Sequence, residues 1–270
     1  MASATQTVPV QPQGGAAAVG TAQTQKATFR IWRGEDNQGG FVDFTTEVQE
    51  GMVVLDAVHF IQATQAIDLA VRWNCKAGKC GSCSAEINGK PKLMCMTRLN
   101  SLDLTHPVTI EPMRTFPHLK DLVTNVAWNF QVKEKIAPFQ PKPPDADGNW
   151  HEAQADVDRP QEFRKCIECF LCQDVCHVLR EHHMHDRFIG PRFLIHIAQL
   201  EMNPLDNGDR LRELKDEYNI GYCNITKCCT KVCPEGIHIT DNGIIPLKER
   251  VVGRFYDPLG KLKHALSKKK

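Results

Sequence analysis

Apolar and polar residues alternate in the front half of the chain, and this pattern predicts β-strands. Residues 27–34 alternate as a half-buried strand does. Residues 39–48 repeat the alternation after Gly39-Gly40, so we expect a hairpin that turns at this pair of glycines. The two segments together predict the first two strands of a sheet.

A helix and a second hairpin are expected next. Residues 53–65 carry apolar side chains at the spacing of one helix face, which indicates an amphipathic helix. Residues 84–95 contain Asn88-Gly89, a pair typical of a two-residue hairpin turn. Residues 106–113 alternate again and predict a further strand.

From Pro117 onward the apolar spacing becomes helical. We expect a helix that begins near Pro117 and carries these side chains on one face: Leu119, Leu122, Val123, Val126 and Phe130. Residues 136–150 contain several prolines and acidic residues and lack periodicity, as a linker does. Three later segments predict helices: residues 191–202, 209–218 and 245–255.

The pattern as a whole predicts an α+β protein with four segments. These are a disordered tail (1–26), a β-rich domain (27–120), a helix and linker (121–161) and a mainly helical domain (162–270). The tail is expected to be disordered because it is rich in Ala, Gln, Gly and Thr and poor in large apolar groups.

Composition narrows the class of protein. The 33 basic and 32 acidic residues give a formal net charge of +1, which favours neither nucleic acid nor an acidic surface as a partner. No apolar stretch reaches the 18 or so residues of a membrane span, and the N-terminal segment lacks the features of a secretory signal. We therefore expect the 12 cysteines to lie in a reducing compartment, where metal binding is commoner than disulfide formation.

The first group of cysteines has the spacing of a plant-type [2Fe–2S] site. Four, two and eleven residues separate its members: Cys75, Cys80, Cys83 and Cys95. Gly78 and Gly81 allow the backbone to curl around a small cluster, so that amides donate to sulfur. The alternative, a structural zinc site, usually has two pairs of closely spaced cysteines, and this spacing does not supply them.

The remaining cysteines fit the runs of a two-cluster bacterial ferredoxin. The first run has spacings of two, two and three residues: Cys166, Cys169, Cys172 and Cys176. The second run has Thr226 in place of its second cysteine and otherwise keeps the register: Cys223, Cys229 and Cys233. In this motif the last cysteine of each run binds the cluster of the other run.

This crossing rule sorts the ligands. It predicts a [4Fe–4S] cluster on Cys166, Cys169, Cys172 and Cys233. Three thiolates remain for the other cluster, which favours [3Fe–4S]: Cys176, Cys223 and Cys229. Cys228 is then spare. In the alternative, Cys228 supplies a fourth thiolate to a second [4Fe–4S] cluster, although adjacent side chains seldom point at one small object.

This combination of motifs resembles the iron–sulfur subunit of succinate dehydrogenase and fumarate reductase. The similarity runs from about Thr28 to about Arg254 and is most specific in six segments: CGSC (80–83), PKLMC (91–95), FPHLKDLV (116–123), CIECFLCQDVC (166–176), FIGPRFL (188–194) and the split run of Cys223, Cys229 and Cys233-Pro234. The resemblance implies a β-grasp [2Fe–2S] ferredoxin domain followed by a mainly α-helical, bacterial-ferredoxin-like domain.

The resemblance also implies a place in a larger complex. Electrons would pass from the FAD of a partner flavoprotein, which carries out the dicarboxylate chemistry, through [2Fe–2S], [4Fe–4S] and [3Fe–4S] to a membrane quinone near the third cluster. Anchor subunits would attach the chain peripherally to the cytoplasmic face of the inner membrane. The alternative is a subunit of another flavin-linked oxidoreductase, of the fumarate reductase, glycolate or heterodisulfide type. The glycolate and heterodisulfide types usually have two complete four-cysteine runs or a Cys-Cys-Gly repeat, whereas Thr230 follows Cys228-Cys229 here.

The expected quinone site departs from the family pattern. Many relatives have Pro-Ser and then a tryptophan after the cysteine equivalent to Cys176, and many bacterial relatives have a histidine where this chain has Asn224. Four histidines follow Cys176 instead: His177, His182, His183 and His185. We interpret them as a surface cluster, with proton delivery, heme binding or zinc binding as alternatives.

Overall fold

The computed structural model describes residues 24–258. Its front part is a mixed seven-stranded sheet with one helix, α1 (Val54–Thr64), packed on it. The strands are β1 (Gln25–Glu35), β2 (Gln38–Val48), β3 (Ser84–Ile87), β4 (Lys90–Leu93), β5 (Val108–Glu111), β6 (His118–Lys120) and β7 (Val123–Thr124). The strand order is β4-β3-β5-β1-β6-β7, with β2 also paired to β1.

The register of the sheet explains the alternating pattern. β1 pairs antiparallel with β2 and parallel with β5, which brings Phe29 beside Val108 and Ile31 beside Ile110. These side chains are buried and pack with the apolar face of α1. Burial of apolar surface of this kind is the main contribution to stability.

The back part consists of short helices around a second core. The helices are α2 (Ala127–Lys135), α3 (Gln154–Gln161), α4 (Leu171–Asp174), α5 (His177–Arg180), α6 (Gly190–Glu201), α7 (Arg210–Asp216), α8 (Cys228–Lys231) and α9 (Ile245–Phe255). α6 lies at the centre, and Phe193, Leu194 and Ile197 on it are buried. No helix within residues 24–258 is long and apolar enough to cross a membrane.

Two elements differ from the sequence predictions. The first hairpin turns at Asp36-Asn37, both with positive φ, and not at Gly39-Gly40. The helix expected from Pro117 begins only at Ala127, because residues 118–120 and 123–124 form short strands. The predicted tail also ends earlier than expected, since β1 begins at Gln25; the rest of that prediction, residues 1–23, lies outside the described residues.

Residues 136–150 have little regular structure but are attached to the helical part. The fully buried Arg210 on α7 donates to the carbonyls of Ala137 (2.8 Å) and Pro138 (2.7 Å) and pairs with Asp206 (2.7 Å). Lys142 N donates to the carbonyl of Leu205 (2.9 Å). The linker is therefore fixed along the helical part.

A buried ion network joins the front and back parts. Glu86 on β3 is fully buried and pairs with Arg180 on α5 (2.9 Å) and with Arg114 (3.4 Å). Next to it, Thr115 N donates to Asp174 Oδ1 (3.1 Å). The front and back parts are thus joined by buried charged groups, each of which needs its partner to offset the cost of burial.

We expect Glu86→Ala to destabilise the chain by about 3 kcal/mol, because it removes the acidic partner of a buried pair. This estimate is at the low end for such pairs because Arg180 is partly exposed. The apparent Tm of the assembled protein should fall by roughly 6–12 °C. Asp43→Ala, which breaks an exposed ion pair with Arg30 on the same sheet, is the matched control and should change Tm far less. Equal shifts of Tm in the two variants would contradict a stabilising role for this buried ion network.

Candidate metal centres

The first cysteine loop surrounds its sulfur atoms with backbone amides. Ala77 N and Lys79 N lie 3.4 Å and 3.3 Å from Cys75 Sγ, and Cys75 N lies 3.5 Å from Cys80 Sγ. Cys95 follows β4 and donates its N–H to Cys83 Sγ (3.5 Å). Hydrogen bonds of this kind favour the thiolate form, which is the form that binds metal.

The acidities of these thiols follow from their surroundings. The amides of Ala77 and Lys79 lower the pKa of Cys75 to about 6, because they donate to its thiolate. Burial raises the pKa of Cys83 to about 12. The loop therefore has an exposed side where a thiolate forms readily and an inner side where a thiolate needs a cationic partner.

The second set of thiols lines a single cavity in the helical part. The side chains of Cys166, Cys169, Cys172 and Cys233 all line this small cavity. Three of these belong to the first run, and Cys233 comes from the second run, after α8. The chemistry of this donor set, four thiols in the wall of one small cavity, fits a four-iron cluster.

The third set lines a separate small cavity. Its wall includes Cys176 from the first run together with Cys223 and Cys229 from the second. Thr226 and Cys228 also lie in the wall, and Thr226 Oγ1 is 3.1 Å from Cys228 Sγ. Three cysteines of the predicted register and the spare Cys228 are thus all brought to one cavity.

Burial gives the thiols of both cavities the same chemical character. It raises the pKa of Cys169 and Cys176 to about 12 and that of Cys229 to about 11. The pKa of the fully enclosed Cys172 is raised as well, again by burial. A cationic iron core would bind such thiols with release of their protons.

The two runs have the same backbone path. Cys166 and Cys223 each follow a single 3₁₀ turn, with φ, ψ of −64°, 119° and −69°, 118°. Glu168 and Ile225, two residues further on in each run, both have positive φ (55° and 62°). This equivalence fixes which positions of the two runs correspond.

The correspondence continues into the short helices. Phe170 and Lys227 precede α4 and α8 in the left-handed conformation, with φ of 61° and 62°. Cys172 and Cys229 are then the second residues of these helices. In this alignment Thr226 occupies the place of Cys169, and Cys228 the place of the non-cysteine Leu171.

The first loop touches the second set of thiols directly. A Cβ atom at Gly81 would lie 2.5 Å from the Cα atom of Cys169, so only glycine fits this contact. Gly81 also has φ of +68°, a conformation that glycine adopts without strain. Ser84 Oγ donates to the carbonyl of Cys169 (2.9 Å) and holds the two loops together.

The four histidines after Cys176 do not meet at one point. His177 Nε2 lies 2.7 Å from Asn224 Nδ2, and the rings of His177 and His182 are 6.2 Å apart. His185 is turned away and packs its ring on Trp128 (4.8 Å). Among residues 24–258, no group of three or more His, Cys, Asp or Glu side chains is placed to hold a single metal ion.

Sequence reasoning missed one charged residue in the second cavity. Arg192 on α6 lines it beside the thiols and is buried. No motif marks this residue, because a lone arginine after Gly190-Pro191 carries no spacing signal. Its position became apparent only from the packing of α6 against the cysteine run.

Comparison with family models identifies both parts of the chain. Residues 28–131 match a 2Fe-2S iron-sulfur cluster binding domain, and residues 162–237 match a 4Fe-4S dicluster domain. These matches confirm the predicted fold class, a plant-type ferredoxin domain followed by a mainly helical two-cluster domain.

Individual relatives are similar over most of the chain. A fumarate reductase iron-sulfur subunit of Mycobacterium tuberculosis is 33% identical over 190 residues, which are 68% of this chain and 75% of that protein. A succinate dehydrogenase iron-sulfur subunit of Paracoccus denitrificans is 27% identical over 242 residues, 86% of this chain and 90% of that protein.

A solved structure gives the same result. A chain of the Mycobacterium smegmatis Sdh1 complex in the apo form is 57% identical, with a TM-score of 0.84, and the match covers 87% of this chain and 99% of that one. The resemblance noted in the cysteine motifs is therefore confirmed: this chain belongs to the family of succinate dehydrogenase and fumarate reductase iron–sulfur subunits.

Proposed function

We propose that the chain is the electron-transfer subunit of a succinate:quinone oxidoreductase. It links the FAD of a flavoprotein subunit, where succinate is oxidised, to a quinone in the membrane. The observation that carries this proposal is the 57% identity to a chain of the Sdh1 complex, which extends over 87% of this chain.

The ligand sets follow from the cysteine register. Cys75, Cys80, Cys83 and Cys95 would hold [2Fe–2S], and Cys166, Cys169, Cys172 and Cys233 would hold [4Fe–4S]. Cys176, Cys223 and Cys229 would hold [3Fe–4S]. The shared backbone path of the two runs supports this register, because it aligns Thr226 with a ligand position and Cys228 with a non-ligand position. Each cluster, when bound, accepts and releases one electron at a time.

The chain's own contribution is to fix positions and exclude water. The contact between Gly81 and Cys169 brings the first two sets of thiols to adjoining loops. Cys172 lies on α4 and Cys176 lies two residues after its end, so one short helix leads from the second cavity to the third. This arrangement supports a single row of carriers with the [2Fe–2S] loop at one end and the third cavity at the other.

The two ends of this row of carriers indicate where partner subunits would bind. The flavoprotein would dock near the exposed side of the first loop, where Trp73 and Met96 are each about half exposed. Anchor subunits and the quinone would lie near the third cavity, so that the chain is attached peripherally at the cytoplasmic face of the membrane. This placement rests on family membership and on the need of a carrier for a donor and an acceptor.

An experiment on the intact complex tests the proposal. Membranes that contain the native complex should reduce quinone with succinate as the donor, and electron paramagnetic resonance should show two-iron, three-iron and four-iron signals. A variant with Cys80→Ala should lose the two-iron signal and succinate:quinone activity together. Activity with glycolate or a thiol donor, and none with succinate, would favour the other flavin-linked oxidoreductases. A complex that only reduces fumarate would place the chain in a fumarate reductase.

A further inference from the structure

Arg192 is a cation enclosed in the wall of the second cavity. Only 6% of the residue is exposed, and it lines the cavity together with Cys166, Cys169, Cys172 and Cys233. Its Nη2 donates to Glu168 Oε1 (2.5 Å). Its Nε is also buried but has no hydrogen-bond partner within the described residues. A buried N–H without an acceptor is costly, and it indicates an acceptor that the protein itself does not supply.

Charge balance with Glu168 does not account for this arginine. Lys133 Nζ already pairs with the same carboxylate oxygen (2.6 Å), so Glu168 is shared by two cations. Glu235, the acidic residue among those that line the cavity, is paired with Lys79 (3.5 Å). Arg192, Lys133 and Lys79 are three cations against the two carboxylates of Glu168 and Glu235, so these paired groups together carry a net charge of +1 near the four thiols.

We propose that Arg192 sets the reduction potential of the four-iron cluster, with its Nε–H donating to a cluster or cysteine sulfur. The inference rests on the ligand set proposed above for [4Fe–4S]. A four-iron core with four thiolates is an anion, and reduction adds one more negative charge. A buried guanidinium stabilises the reduced form more than the oxidised form, and so it raises the potential.

Potentiometric titration of the intact complex, followed by electron paramagnetic resonance, tests this inference. In Arg192→Met the ratio of reduced to oxidised four-iron cluster at a fixed potential should fall by about tenfold, which is about 59 mV for a one-electron couple. Arg192→Lys keeps the charge but loses the Nε donor, and Arg192→Gln keeps a donor but loses the charge. Both variants should also lower the ratio of reduced to oxidised four-iron cluster, but by less than Arg192→Met does.

Internal and matched controls separate this effect from general damage. The two-iron and three-iron signals of each variant should titrate as in the native complex. Arg250→Met removes a cation that pairs with Glu201 at the far end of α6 (3.3 Å), and it should leave the four-iron titration unchanged. If Arg192→Met does not retain the four-iron cluster, the titrations of Arg192→Lys and Arg192→Gln test the inference instead.

The possible failures are distinguishable. Native complex without a four-iron signal would contradict the ligand set on which the inference rests. If the native complex shows a four-iron signal and its titration is the same in the Met, Lys and Gln variants of Arg192, only the role of Arg192 is overturned. Loss of the four-iron cluster in all three variants would also overturn it, because Arg192 would then serve assembly and not potential.

Discussion

Replacement of Cys229 by serine should abolish the three-iron signal, whereas replacement of its neighbour Cys228 should preserve it. Cys229 is buried in the third cavity at the helix position that Cys172 occupies in the second cavity. Cys228 has the position of Leu171, which is not a ligand type, and it is partly exposed. The oxidised complex should therefore show a normal three-iron signal in Cys228→Ser and none in Cys229→Ser.

The same register predicts a gain of one ligand at Thr226. This residue has the place of Cys169, and a hydroxyl is a poor ligand for a soft iron–sulfur core. Thr226→Cys should supply the fourth thiolate, convert [3Fe–4S] to [4Fe–4S] and lower the potential, because a thiolate adds negative charge. Quinone reduction should then slow, since the last carrier would become a weaker acceptor.

Thr226→Ser is the matched control for this gain, because it keeps a hydroxyl at the same position. It should retain the three-iron signal. The register would be wrong if native complex lacked a three-iron signal and Cys228→Ser created one. Cys228 would then be the fourth ligand of a second four-iron cluster, and the contact of its sulfur with Thr226 (3.1 Å) would mark a position inside the ligand sphere.

Local periodicity predicted those elements whose stability depends on one apolar face. α1, α6 and α9 form where apolar residues recur at helical spacing, and the Asn88-Gly89 turn forms as expected, with φ of 50° and 70°. In these segments the sequence pattern and the tertiary packing favour the same conformation.

One failure occurs where distant residues determine the backbone. At Asp121 a buried carboxylate accepts hydrogen bonds from Gly34 N (3.0 Å) and Ala70 N (2.8 Å) and pairs with Arg33. These contacts hold residues 118–124 as short strands although their apolar spacing is helical. The first hairpin is a different kind of failure, because its turn at Asp36-Asn37 is local: both residues have positive φ, which Asp and Asn tolerate. Gly34 and Gly39 pair across this turn so closely that neither has room for a Cβ, so these glycines serve the hairpin without forming its turn.

In the candidate site, too, the sequence predicts local features but not contacts between distant residues. The spacing of the cysteines predicts three groups of thiols, since ligands of one small object must be close in sequence or in space. It does not predict which loops touch, because Gly81 and Cys169 are far apart in the chain. The spacing also gives no sign of Arg192, since a single buried cation is detected only from what surrounds it.

The contact between Gly81 and Cys169 leads to the second large effect. Gly81→Ala would place a Cβ atom 2.5 Å from the Cα of Cys169, and its φ of +68° is unfavourable for alanine. Overpacking and backbone strain together should destabilise the junction by about 2–4 kcal/mol. The front and back parts would then have to separate slightly. Electron transfer from the two-iron to the four-iron cluster should therefore slow by about tenfold or more, because reacting centres that lose their alignment react more slowly.

Gly89 of the front part serves as the control for this effect. It has φ of +70° but open space around it, so Gly89→Ala has the same backbone strain without the clash. Rapid-freeze resonance spectroscopy after addition of succinate should show delayed reduction of the four-iron cluster in Gly81→Ala alone. An equal delay in Gly89→Ala would mean that backbone strain, and not the packing of Gly81 against Cys169, controls transfer between the two parts.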